Sequence, residues 1–240
     1  MVEICKNCKT EVPLNYCPTC GHPKSLKRID GQYLLDEISG SLSFEKGFLF
    51  TIRELAVNPG KSIKDFLTED RSQLVRPIVF LIITSLIYTF FNSLFHFEDS
   101  YVKFSGNEAS ATLAIFKWVQ ENYGYANIIM AVFIGFWLKL LFRKYLFNFF
   151  EILILLCFAM AMGMLIYSVF GIFQGLTHIN LMQVGGIVGF LYTTYAVGQF
   201  FDKRKPISYF KAFIAYLIGM ISFSLAAIAI GAIIDLIILK

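Results

Sequence analysis

Between Pro77 and Phe95 the chain runs for 19 residues without a charge, and that stretch alone removes most of the folds open to it. Wound as a helix at 1.5 Å per residue it reaches roughly 28 Å, close to the hydrocarbon thickness of a bilayer. Pro77 suits the first helical position, where its missing N–H has no partner to lose. Four further apolar runs follow, Ala126–Phe142, Ile152–Phe173, Leu181–Phe201 and Ala212–Ile234, of 17, 22, 21 and 23 residues. Each is long enough to cross, the 17-residue run only with little tilt. Composition agrees: the 240 residues are 57% hydrophobic and 16% charged, where a soluble domain has about 45–50% and about 25%. The polar N-terminus has no apolar core of a cleavable signal peptide, so the first span is expected to serve as an uncleaved insertion signal.

Lysine and arginine decide the expected threading. The segment before the first span carries 11 of them. The 96–125 loop carries two, Lys103 and Lys117, against the acids Glu98, Asp99, Glu108 and Glu121. Arg143 and Lys144 mark the next turn, with Lys139 close by; the 174–180 turn has none, and the 202–211 turn has Lys203, Arg204, Lys205 and Lys211. Loops that alternate basic and poor place the N-terminus inside and the C-terminus outside. The net charge of +4 is too small, and too scattered, to suggest nucleic acid.

Four of the five cysteines fall in the first 25 residues as Cys5-x2-Cys8 and Cys17-x2-Cys20. A CxxC turn sets two thiolates on one side of an ion, and two such turns complete the tetrahedral shell that zinc prefers. Gly21 suits the left-handed position that follows the second pair, and Lys9 stands at the equivalent place after the first. Lys6, Lys9 and Lys24 offset the charge of a tetrathiolate site. The competing readings are weaker. A thioredoxin-type dithiol needs a strand–helix setting that 25 residues cannot supply, and disulfides need an oxidising compartment. With no open coordination position, zinc bound by Cys5, Cys8, Cys17 and Cys20 would be structural. His22 reads as a loop residue, and Cys157 as an apolar packing residue in a membrane helix.

Residues 26–76 are amphipathic and too charged to span. Phe44, Phe48, Ile52 and Leu55 share a helical face that Glu45, Lys46, Arg53 and Glu54 mostly avoid, and Asn58-Pro59-Gly60 ends that helix. A short helix with Ile63, Phe66 and Leu67 on one side follows. Both are expected on the cytoplasmic headgroup layer or packed beneath the bundle.

Charges within the membrane are the usual functional candidates, and none of these spans carries one near its middle. Lys139 can snorkel, Glu151 opens a span with Asn148 at capping-box spacing, Asp235 sits near the outer end and His178 lies in an outer turn. Two polar stripes remain: Ser85, Tyr88, Thr89 and Asn92 on the first span, and Tyr192, Thr193, Thr194, Tyr195 and Gln199 on the fourth. Such residues ordinarily hydrogen-bond between helices, and the alternative is a polar cavity. The pairs Ala159/Gly163, Gly185/Gly189, Ala215/Gly219 and Ala227/Gly231 favour close helix packing. RKYLFNFFE at 143–151 and KRKPISYFK at 203–211 align without a gap, with Asn148 and Ser208 both placed as N-caps. Topology alone explains this and is the preferred reading over a duplicated hairpin. No nucleophile–base pair, HExxH, phosphate loop or paired carboxylates is present, so no enzyme is expected.

The order EKGFLFTIREL, NPGKSIKDFLTEDRSQLVRPIVFLI and RKYLFNFFE resembles the uncharacterised bacterial membrane-protein family called domain of unknown function 3667. The likeness is most specific at Lys46-Gly47-Phe48, Pro59-Gly60-Lys61, Arg76-Pro77 and Asn148 to Glu151. Many members have His after that glutamate and Gly before the basic residue near position 71, where this chain has Ile152 and Asp70. The resemblance implies a class without implying a reaction. The layout is also similar to Yip1-type membrane proteins.

The expectation is therefore an all-α polytopic membrane protein with five transmembrane helices, at about 77–95, 126–142, 152–173, 181–201 and 212–234 within a 77–240 domain. A small cytoplasmic zinc ribbon (1–25) and amphipathic interfacial helices (26–76) precede it. The expected site is the bacterial cytoplasmic (inner) membrane. The expected role is a non-enzymatic scaffold or adaptor whose ribbon binds a cytoplasmic protein partner. The alternative is a small-molecule transporter or lipid-handling protein. Membrane lipids are expected contacts, and oligomer formation is left open.

Overall fold

The computed structural model describes residues 3–5, 8–13, 15–21, 28–34, 47–97 and 110–238. Phe44, Glu45 and Lys46 of the first amphipathic face lie outside the described residues, as do Lys6, His22, Lys24, Glu98, Asp99, Lys103 and Glu108. A two-stranded hairpin, β1 (Glu3–Ile4) and β2 (Glu11–Val12), opens the fold, paired antiparallel with Glu3 opposite Val12. Two short helices follow, α1 (Phe48–Val57) and α2 (Pro59–Thr68). Then come α3 (Pro77–Phe95), α4 (Ala111–Glu121), α5 (Tyr123–Leu141), α6 (Phe149–Thr177), α7 (Met182–Asp202) and α8 (Pro206–Ile238).

Five of these, α3, α5, α6, α7 and α8, are long and apolar enough to cross a membrane. They are the helices of a multi-pass membrane protein, and each contains most or all of one apolar run. Helix α6 is the most buried and touches α3, α5 and α7, while α8 is the least buried and packs against α4, α5 and α7. Phe66, Phe80 and Phe158 stack edge-on and tilted at 5.3 and 6.1 Å between centroids, joining α2, α3 and α6 in one core.

The helix ends follow from local chemistry. Asn148 and Glu151 form the expected capping box: the Asn148 side chain accepts from Glu151 N at 2.8 Å, and Asn148 N donates to Glu151 Oε2 at 2.7 Å. The aligned Ser208 does not cap. Pro206 starts α8 two residues earlier, because proline is tolerated where no N–H is required, and Ser208 is buried with its N–H on Lys205 O. The two hairpins thus begin their second helices differently, and the alignment loses its shared cap.

The loop before the second span contains α4, an amphipathic helix absent from the sequence expectation. Asp235 does not simply reach for headgroups: its carboxylate accepts from Ser110 Oγ at 3.0 Å and Ala111 N at 2.7 Å, capping α4. Close approach explains the small residues. A Cβ on Gly219 would lie 2.6 Å from the Ile134 backbone, and Gly185 and Gly189 face the rings of Phe170 and Tyr167.

Candidate metal centre

The four N-terminal thiols are brought together by one device used twice. After Cys5, the Lys9 N–H donates to Cys5 O at 3.0 Å; after Cys17, the Gly21 N–H donates to Cys17 O at 2.9 Å. Both closing residues are left-handed, Lys9 at φ 64° and Gly21 at φ 70°. Glycine adopts that conformation freely, whereas lysine does so at a cost of about 1–2 kcal/mol. Cys5 N also donates to Thr10 O at 2.7 Å, tying the first turn to the β-hairpin.

The resulting sulfur cluster has the size of a zinc shell. Cys5 and Cys20 Sγ lie 3.6 Å apart, Cys8 and Cys17 Sγ 3.4 Å apart, and the four ligand atoms all lie within 4.8 Å of one another. A tetrahedron with metal–sulfur bonds of about 2.3 Å has edges of roughly 3.8 Å. The cysteines are free thiols rather than disulfides. Cys5 and Cys17 are buried with Val12, Cys8 is half-buried and Cys20 is exposed. Hydrogen bonding with the Thr10 hydroxyl, 3.4 Å away, and with the Thr10 backbone brings the Cys8 thiol down to about 6, with Cys17 adding to the effect. A lowered thiol favours the thiolate, the form that binds metal. Cys5, Cys8, Cys17 and Cys20 could therefore hold one metal ion. Cys157 lies far along the chain, buried in α6.

A second constellation, which sequence reasoning missed, straps residues 28–34 to the bundle. Arg28 Nε and Nη2 donate to the two Glu151 carboxylate oxygens at 2.9 and 2.7 Å, and Nη2 also donates to Leu146 O at 2.6 Å. Asn148 Nδ2 donates to Ile29 O at 2.9 Å, and Ile29 is buried in the main core. The Glu151 side chain thus caps α6 and receives Arg28 at once. Its capping spacing was legible, but its partner 123 residues away had no local signal.

The polar stripe on α7 supports the same end of the bundle. Tyr192 Oη donates to Leu55 O at 2.8 Å, and Gln199 Oε1 accepts from Gly60 N at 2.7 Å. These bonds hold the Asn58-Pro59-Gly60 elbow between α1 and α2 against α7. Gly60 is required there, since a Cβ would lie 2.5 Å from the backbone of Gln199 and Phe200. Lys64 reaches over the Phe200 ring at 5.6 Å, and burial pulls its ammonium below the usual lysine range while Asp202 opposes the shift. Elsewhere the stripes turn inward on their own helices: Ser85 and Thr193 donate to the Ile82 and Gly189 carbonyls, as the neighbouring Thr84 does to Leu81 O. Tyr88 is buried among Phe97, Tyr123 and Tyr167, while Thr89 is exposed and Asn92 half-buried. One helix-to-helix bond had no place in either stripe, Trp137 Nε1 to Ser222 Oγ at 3.0 Å.

Residues 45–89 match the model of a family described as a protein of unknown function, DUF3667. The match supports the resemblance read from the sequence. The DUF3667 stretch takes in α1, α2 and most of α3, including the elbow that Tyr192 and Gln199 hold. Neither a curated protein nor a solved structure matches the chain.

Proposed function

We propose that this chain is a non-enzymatic scaffold or adaptor of the bacterial cytoplasmic membrane, whose structural zinc ribbon docks a cytoplasmic protein partner. The observation that carries the reading is the four-thiol set, which would satisfy a tetrahedral zinc and leave it no position for a substrate. Such a site organises a surface instead of reacting. On the ribbon, Ile4 and Tyr16 are 64% and 66% exposed beside the buried cysteines, apolar area of the kind a partner covers. The basic turns support an inside N-terminus. Lys139 Nζ donates to Phe147 O at 2.6 Å and Arg28 reaches Leu146 O, so these cations cluster around the 142–148 turn. The C-terminus is then outside. The similarity of layout to Yip1-type proteins rests on span number alone and adds no activity.

The test is affinity purification from native membranes in mild detergent, with metal analysis and mass spectrometry of co-purifying proteins. The control has Cys5, Cys8, Cys17 and Cys20 changed to Ser. About one zinc per chain and a partner present with the wild type, both lost in the control, are the expected results. An identical set of proteins from both would defeat the adaptor reading.

A further inference from the structure

At the end of the bundle away from Glu151, the five spans line a partly open cavity of about 390 Å³, within the range of small-molecule sites. Its wall comes from every spanning helix: Tyr88 of α3, Tyr123 and Asn127 of α5, Met164 and Tyr167 of α6, Met182 of α7, with Phe223 of α8. None of the lining side chains is charged. Aromatic rings and thioethers form the adaptable apolar surface that accepts flexible hydrophobic molecules. Tyr88 and Met164 are buried here, and Tyr88 and Tyr123 meet edge-on at 5.1 Å, so this part of the wall is well packed.

Gln183 and three tyrosines also bring polar groups to the lining, and Asn127 differs from them in one respect. Asn127 is 7% exposed, and its Nδ2 is buried without a hydrogen-bond partner. An amide donor left unpaired in a membrane interior is costly, and buried polar groups are ordinarily paired. Asn127 lies about one helical turn beyond Tyr123, at the start of α5. Gly186 lines the cavity too, and a Cβ there would meet nothing within 4 Å.

We propose that this cavity binds an uncharged membrane lipophile whose carbonyl oxygen accepts a hydrogen bond from Asn127 Nδ2. The absence of lining charge selects a neutral group, the aromatic and methionine wall selects a hydrocarbon body, and the unpaired Asn127 donor selects an acceptor. An ester carbonyl of a diacylglycerol and a ring carbonyl of an isoprenoid quinone share this chemistry. The site stands independently of the scaffold reading and of the metal.

The test uses the full-length protein in phosphatidylcholine nanodiscs, with two photoreactive probes: a diacylglycerol and an isoprenoid quinone, each carrying a diazirine in its hydrocarbon chain. Saturable labelling of peptides spanning 123–130 and 182–186 by one probe is expected, and the successful probe names the source. Asn127→Leu should weaken labelling about tenfold, the ratio that loss of one buried hydrogen bond gives. Gly186→Phe, whose Cβ meets nothing within 4 Å, should abolish it while leaving the melting temperature in place. Labelling that rises linearly with probe, or that Gly186→Phe leaves unchanged, would overturn the site. Saturable labelling unaffected by Asn127→Leu would overturn the assigned hydrogen bond.

Discussion

Glu151 shows how much one side chain can hold. It closes the capping box on α6 and receives Arg28 through both carboxylate oxygens. Arg28 is 62% exposed at its side chain, so water screens the ion pair and its net worth is small. The cap is the larger contribution. Glu151→Gln, which can still bond the Asn148 N–H, should therefore cost under about 1 kcal/mol, and Glu151→Ala about 1–2 kcal/mol. Thermal unfolding in detergent would separate the two, and equal losses would contradict this ranking. Thr10 plays a comparable part in the ribbon. Because its hydrogen bonds lower Cys8 to about 6, the stabilisation from the Cys8 thiolate is complete at alkaline pH and disappears as pH falls through 6. In metal-stripped protein, Thr10→Val should raise the thiol and slow iodoacetamide alkylation of Cys8 at pH 7 severalfold.

At the scale of elements, the spans were legible because length and the absence of charge are sufficient evidence for a membrane helix. The α3 run matched its helix from Pro77 to Phe95. The turn chemistry of the cysteine pairs was legible too, down to the left-handed Lys9. What could not be read was any contact whose two halves lie far apart in sequence. Helix α4 depends on Asp235, and the α7 stripe depends on an elbow more than a hundred residues earlier. Ser208 resembled Asn148 locally, but Pro206 moved the helix start. Two substitutions test these long-range supports. Asp235→Ala should remove about 1 kcal/mol from the end of α4, seen as faster hydrogen exchange across residues 111–121 with the rest unchanged. Gly60→Val sets a side chain against the Gln199–Phe200 backbone, which cannot retreat, and should cost about 1–3 kcal/mol. A melting temperature equal to the wild type would mean that α2 does not sit on α7.

For the whole molecule, the proposed inside N-terminus and outside C-terminus have a direct check. Alkaline phosphatase fused after Lys240 should be active in a bacterial host, and a fluorescent protein at the same place should be dark; the reverse pair would invert the topology. Beyond sidedness, the strap at Arg28 limits how far the ribbon can act. Gly21 closes the second cysteine turn, and Arg28 is already bound to Leu146 and Glu151. Even fully extended, the chain between them spans roughly 25 Å. If the ribbon docks a partner as proposed, the cysteine cluster is a hand on a short leash, able to grasp only what comes close to the bundle. A pull on it would be delivered to the first turn of α6, the most deeply seated helix of the bundle.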